Sequence, residues 1–271
     1  MSSVFGWFNP TVASITFRAT VSRKRALLFA LPAVILIVFT LLLRVSRPPS
    51  RPWPSHVLGT FGFSVLLPLT ALIIGTSVLG AEIDDGSAIH LLATPVRRSA
   101  VILTKFSVAT VLTMIFAAVP ELIAALISGG GDAPPTVIGP KGGLGPVTVI
   151  QGAAISDSRF AIGLFVGALV GAVIYNAIFV MVSVATTRAI AVGLLYVLIW
   201  EVVLANFVSG ARLLSVSHYA LGIANGFVHD TALNAGLTVT TSVVMGAIVT
   251  VLALALAVRL LSSFTLKGEP A

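Results

Sequence analysis

Long apolar runs separated by short polar stretches set the pattern of this chain. Six runs, roughly 26–43, 57–80, 101–128, 160–187, 189–208 and 235–261, are each long enough for a helix to cross about 30 Å of hydrocarbon. The pattern predicts an all-α membrane protein, one transmembrane domain over residues 1–271 with six spanning helices. Arg23, Lys24 and Arg25 ahead of the first run also suit a secretory signal. No small-residue cleavage site follows; the chain continues LRVSRPPSRPWP, so the run is read as an uncleaved span.

The segments between the runs carry patterns of their own. TVASITFRATVSRKR (11–25) mixes Val12, Ile15, Phe17 and Val21 with Arg18, Arg23, Lys24 and Arg25. It predicts an amphipathic helix on the inner, anionic leaflet, the alternative being an irregular positive flank that only sets topology. Residues 129–159 are rich in Gly and Pro and predict a long outer loop lacking regular structure over much of its length. Residues 209–234 keep an apolar periodicity but are too polar to span. They predict short re-entrant or interfacial helices before the last span.

Composition reinforces this picture. Hydrophobic residues make up 57% of the chain and charged ones 9%, against about 25% charged in an ordinary soluble domain. So much apolar surface needs the bilayer as its solvent. A net charge of +7 spread between apolar runs acts as a topology signal, which argues against nucleic acid as a partner. With the N-terminus inside, ten basic residues face the cytoplasm and six (Arg44, Arg47, Arg51, Lys141, Arg159 and Arg212) face out. Both termini are then cytoplasmic, and twelve arginines against four lysines hint at a GC-rich bacterial genome, hence a bacterial inner or plasma membrane. Cysteine is absent, which excludes disulfides, thiol catalysis and cysteine-ligated metal.

Against this background AEIDDGSAIHLLATPVRRSAVILTK (81–105) stands out, on the cytoplasmic side between spans two and three. Asp84 or Asp85 can cap a helix opening on Gly86, Ser87 and Ala88, where a carboxylate suits the positive dipole end. Ile89, Leu91 and Leu92 give that helix an apolar face, and Pro95 ends it. Arg97 and Arg98 precede the next helix, and Lys105 is placed to snorkel from its first turns. A plain topology loop explains the arginines but not Glu82, Asp84 and Asp85.

The string Glu82-x-Asp84-Asp85-Gly86-Ser87, followed by Leu91-Leu92, Pro95-x-Arg97-Arg98 and Lys105, resembles the cytoplasmic signature of ABC-2 type permeases. The basic N-terminal segment and the polar outer segment before the last span also match that family's plan. Motif-level support covers about 25 residues of the 271. Here aspartates replace the usual second glutamate, Ser87 replaces threonine, and the Gly/Pro loop is foreign to the family. The resemblance implies a coupling helix, within 81–100, that docks on an ATP-binding cassette ATPase subunit through Glu82, Asp84, Asp85, Gly86, Ser87, His90, Arg97 and Arg98. It also implies that the N-terminal helix, with Phe17, Arg18, Arg23, Lys24 and Arg25, rides beside that subunit. A second permease copy or a paralogue would complete the assembly.

The chain has no G-x-x-x-x-G-K-S/T loop, no HExxH and no GxSxG, and its four histidines lie far apart. No cofactor or metal is expected in this chain; ATP and Mg would belong to the partner ATPase, and the chain itself is read as no enzyme. Few polar groups lie inside the spans. Glu201 falls near the middle of span five, where a charged carboxylate costs at least about 2.5 kcal/mol, so it is protonated, paired or facing a wet cavity. Asn206, Asn176 and Tyr175 are its candidate partners, and Glu121 is placed at headgroup level. These five residues are candidates for a substrate path or gate, with an inter-helix hydrogen bond as the alternative for Glu201. Gly163, Gly167 and Gly171 form a small-residue stripe for close helix packing, within one protomer or between subunits. Pro68 and Pro120 are candidates to bend spans two and three.

The resulting expectation is the permease subunit of an exporter moving a hydrophobic or amphipathic substrate such as a drug, antibiotic or lipid-like molecule. Two other readings compete: a proton- or ion-coupled secondary transporter using Glu201, and a non-transporting assembly factor.

Overall fold

Five helices long and apolar enough to cross a membrane frame the computed structural model: Ala26–Ser46, Trp53–Val78, Arg98–Ser128, Asp157–Ala185 and Val239–Ser262. The structure describes residues 10–21, 23–46, 53–84, 98–130, 136–138, 148–150, 157–229, 233 and 236–263. In chain order, α1 is Pro10–Thr20 and α2 is Arg23–Ser46. Helix α3 runs through Trp53–His56, a π-helical stretch Val57–Leu66, and Leu67–Asp84. Helix α4 joins Arg98–Thr113, π-helical Met114–Ala118 and Val119–Ser128. A two-stranded antiparallel ribbon follows, β1 (Thr136–Ile138) against β2 (Thr148–Ile150), with Val137 opposite Val149. It gives the Gly/Pro-rich loop a piece of regular structure. Helix α5 is Asp157–Ala185, and α6 joins Ala189–Leu195, π-helical Tyr196–Leu204 and Ala205–Phe207. A 3₁₀ turn (Ser209–Leu214) leads into α7 (Val216–Val228), and α8 is Val239–Ser263.

The expected fifth span, 189–208, is helical, but its apolar part, Ala189–Leu204, is shorter than the other five. Five membrane-length helices are therefore shown where six were expected. The basic N-terminal segment also divides differently. Its helix stops at Thr20, and Arg23, Lys24 and Arg25 open α2, with side chains outside the described residues.

Pro68 and Pro120 each sit two residues past the end of a π-helical stretch. Proline lacks an N–H and its ring crowds the carbonyl four residues back, Ser64 for Pro68 and Phe116 for Pro120. Both carbonyls lie in the widened turns, where Leu67 N–H reaches Gly62 O and Val119 N–H reaches Met114 O, five residues away.

Helix α5 is the hub, packed against α3, α4, α7 and α8. Phe63, Leu67, Phe160, Leu164, Tyr175, Phe179, Tyr219 and Ala220 belong to the main core around it. At Gly167 a Cβ would stand 2.6 Å from Ala220 O and 2.8 Å from Ala224 Cβ, so the glycine lets α5 and α7 touch backbone to backbone. Gly163 faces Ala224 O and Gly171 faces Leu67 and Ala220, which puts the whole stripe to use inside one protomer. Helix α7 is buried continuously from Val216 to Ala224, so it is inserted among α5 and α8 and does not lie on the surface of the bundle. By contrast α2 and α8 present Leu27, Leu42, Val251 and Leu252 outward, each more than half exposed. Such unbroken apolar faces fit lipid or another apolar surface and not water.

Candidate functional site

Among the described residues, two buried carboxylates and one buried ammonium lie inside this bundle, each in different company. Glu201 sits in the π-helical part of α6 and is fully buried. Tyr196, five residues earlier, donates its hydroxyl to Glu201 Oε1 at 2.9 Å. A five-residue offset faces the same way in a π-helix and not in an α-helix, so the widened turn makes this pair. The chain then turns and brings Ser215-Val216-Ser217 back onto the same carboxylate. Ser215 Oγ donates to Oε2 at 2.6 Å and Ser217 Oγ at 2.7 Å. The backbone N–H of Val216 reaches Oε1 at 2.9 Å, and that of Ser217 reaches Oε2 at 3.3 Å.

These amides are the first of α7, so the carboxylate satisfies N–H groups that a helix start leaves open and faces the positive end of the helix dipole. Ser215 is the N-cap of α7 and accepts from His218 N at 3.4 Å. His218 Nδ1 lies 3.0 Å from Ser215 Oγ. Because that hydroxyl gives its proton to Glu201, Nδ1 is assigned as the donor to Ser215. Burial, at 3% exposure, lowers the His218 pKa; Glu201 opposes this and Arg212 adds to it. A neutral imidazole with its proton on Nδ1 fits the arrangement. Of the three possibilities open for Glu201, the structure realises pairing.

The expected partners are placed elsewhere. Asn176 donates to Thr113 Oγ1 at 2.9 Å and to Ala172 O at 2.7 Å, which ties α5 to α4. Tyr175 stacks on Phe179 with centroids 6.0 Å apart. Its buried hydroxyl makes no hydrogen bond. The side chain of Asn206 lies outside the described residues. Tyr196, Ser215, Ser217 and His218 escaped the sequence reading. The one usable signal was Ser215 ahead of an apolar helix, an N-cap pattern.

Glu121 was expected at headgroup level. It is enclosed by the bundle at 4% exposure, with Oε1 lacking any hydrogen-bond partner. Lys105 does not snorkel. It is fully buried and donates from Nζ to Val78 O of α3 at 2.9 Å. The face of α4 that carries Lys105, Thr113 and Glu121 at eight-residue steps is turned inward, so the long side chain finds a helix carbonyl in place of water.

Of the charged stretch, Glu82 and Asp84 lie in the last turn of α3, with side chains outside the described residues. Asp85, Gly86, Ser87, His90 and Arg97 lie outside the described residues altogether. Arg98 opens α4 and donates through Nη1 to Leu261 O at 3.0 Å and Ser262 O at 2.6 Å. Those are carbonyls at the end of α8, where a cation suits the dipole. On α1, Phe17 and Arg18 are exposed and the helix packs against α3 and α4.

Comparison with curated proteins found no match. A family model described as "ABC-2 family transporter protein" matches residues 21–199, more than half of the chain.

Proposed function

We propose that this chain, which belongs to the ABC-2 family of transporter proteins and is a multi-pass component of membrane transport, is the permease subunit of an ATP-driven exporter. Its substrate is hydrophobic or amphipathic, and ATP with Mg is held and hydrolysed by a separate ATP-binding cassette subunit. Two such permeases, copies or paralogues, pair in the bacterial inner membrane with both termini inside. Residues 81–97, the last turn of α3 and the stretch that leads to α4, form the docking loop, through Glu82, Asp84, Asp85, Gly86, Ser87, His90 and Arg97.

The observation that carries this reading is how firmly the ends of that loop are held. Lys105 ties α4 to Val78 of α3, and Arg98 ties the start of α4 to the end of α8. A push on the loop therefore reaches α3, α4 and α8 together, as coupling to an outside motor requires. Arg98 acts here as the tie and not as a docking residue. Helix α1, with Phe17 and Arg18 outward, is the element resting on the inner membrane surface.

Glu201 serves as a latch. It holds α7 inside the bundle next to the α5–α7 contact, and release of that latch would open the outer half of the bundle. Since both its oxygens are occupied by hydrogen-bond donors of the chain, an exchangeable proton or ion site, as a secondary transporter needs, finds no support there.

The test is purification of the chain from its native membrane. The reading expects an ATP-binding cassette subunit to accompany it, and expects Asp84→Ala with Asp85→Ala to reduce that recovery and the associated Mg-ATP hydrolysis. Full hydrolysis and recovery with both aspartates removed would assign the chain to a different role.

A further inference from the structure

The second buried carboxylate is not explained by the latch or by the docking loop. Glu121 Oε1 is enclosed without a hydrogen-bond partner, although nine-tenths and more of the residue is out of solvent. Its carboxylate points at Gly62 of α3, where an added Cβ would stand 2.7 Å from both oxygens. Between α2, α3 and α4 this leaves a cavity lined by Pro32, Leu36, Phe63, Phe116 and Glu121, with no basic residue in its walls. About 10 Å³ of it is open to the centre of a water, room for about one water-sized group.

Among the described residues none supplies this carboxylate with a counter-charge. A primary ammonium group matches the vacant position in three ways. It is about the size of a water, it brings three N–H donors to an oxygen that has none, and it brings the missing charge. The aromatic walls, Phe63 and Phe116, suit a cation as well as an alkyl chain.

The cavity is also placed to admit such a group from the bilayer. Its outer wall is α2, whose neighbouring residues Leu31, Val34 and Ile35 are exposed. Pro32 interrupts the hydrogen-bond ladder of that helix at the cavity. The inner walls are the π-helical stretches of α3 and α4, which contribute Gly62, Phe63 and Phe116. Such widened turns shift at lower cost than an α-helix and recur at functional sites.

We infer that this cavity is a binding site for the primary ammonium head of an amphipathic amine, with Glu121 as its counter-ion and the alkyl tail leaving past α2 into the bilayer. The inference deepens the permease reading by giving its substrate a charge, and it rests on that reading only for the use made of binding.

The probe is dodecylamine. Equilibrium dialysis of the labelled amine against purified full-length protein in detergent, corrected by protein-free micelles, reads its affinity directly. Glu121→Gln is expected to weaken binding by about tenfold or more, the loss of one charge-assisted hydrogen bond. Dodecanol should compete poorly with the wild type, and dodecyltrimethylammonium, too bulky at the head, should compete less well than the amine. Gly62→Ala displaces only the end of the Glu121 side chain, so it should fold and still weaken the amine. It decides the matter should Glu121→Gln fail to fold.

Unchanged amine binding in a folded Glu121→Gln or Gly62→Ala protein overturns the inference. Displacement of the amine by millimolar Na⁺ does so too, by making this an inorganic cation site. The permease reading fails separately, by loss of the ATPase partner while amine binding persists.

Discussion

Ser215 Oγ donates to Glu201 Oε2 at 2.6 Å across fourteen residues of sequence, which binds the start of α7 to the middle of α6. Glu201 also accepts from the Val216 amide and from Tyr196, so removing the carboxylate orphans several buried donors at once. Glu201→Ala is expected to destabilise the protein by about 3 kcal/mol or more, with Glu201→Gln costing less because one acceptor oxygen remains. Thermal unfolding of the purified variants gives the order. A Glu201→Ala protein as stable as wild type would remove the latch from the account.

The same group makes stability depend on pH. Burial lowers the His218 pKa below its ordinary value of 6.5, so the folded protein resists a proton that the unfolded chain accepts. The stabilisation is fully present above about pH 6.5 and is lost as pH falls toward the folded pKa. Melting curves across roughly pH 7.5 to pH 5, the window of an imidazole, should show a falling midpoint. His218→Gln should flatten that slope; an equal slope in the variant assigns the dependence to another group.

The glycine stripe separates two costs. At Gly167 an added Cβ meets a backbone oxygen that cannot move aside, whereas at Gly171 it meets the flexible end of Leu67. Gly167→Ala should therefore cost about 1–3 kcal/mol and Gly171→Ala less. Chemical denaturation of the two variants compares them, and the reverse order would contradict the α5–α7 contact.

Arg98 and Arg97 are adjacent, yet the account gives them different work. Arg98→Glu should place a carboxylate against the end of α8 and lower stability by about 1–2 kcal/mol, with the ATPase partner still recovered. Arg97→Glu should weaken recovery of the partner and leave the melting midpoint in place. Swapped outcomes would return Arg98 to the docking surface.

Apolar run length made five of the spans readable, because crossing hydrocarbon demands both length and composition. The run at 189–208 is helical from Ala189 to Phe207, but its apolar part, Ala189–Leu204, is shorter than the other five. Pro68 and Pro120 were readable as irregularities, but the π-helical form they take depends on which carbonyl gives way. Glu201 was visible as a costly charge, while its partners were not. Tyr196 reaches it only through a π turn, and the serines arrive by a fold-back that no periodicity records. The burial of Lys105 and of Glu121 has a single reason. The side of α4 that turns inward is set by packing against α2, α3 and α5, and both residues lie on it.

The central claim is that an outside ATPase docks on residues 81–97, and absence of cysteine from the chain allows a direct measurement. A single Ser87→Cys, made reactive to a bifunctional crosslinker in native membranes, should join this chain to an ATP-binding cassette subunit, with a yield that changes when ATP is added. Thr148→Cys, on the ribbon in the opposite loop, should give no such product. Crosslinking to the ATPase from Thr148→Cys and not from Ser87→Cys would contradict the account.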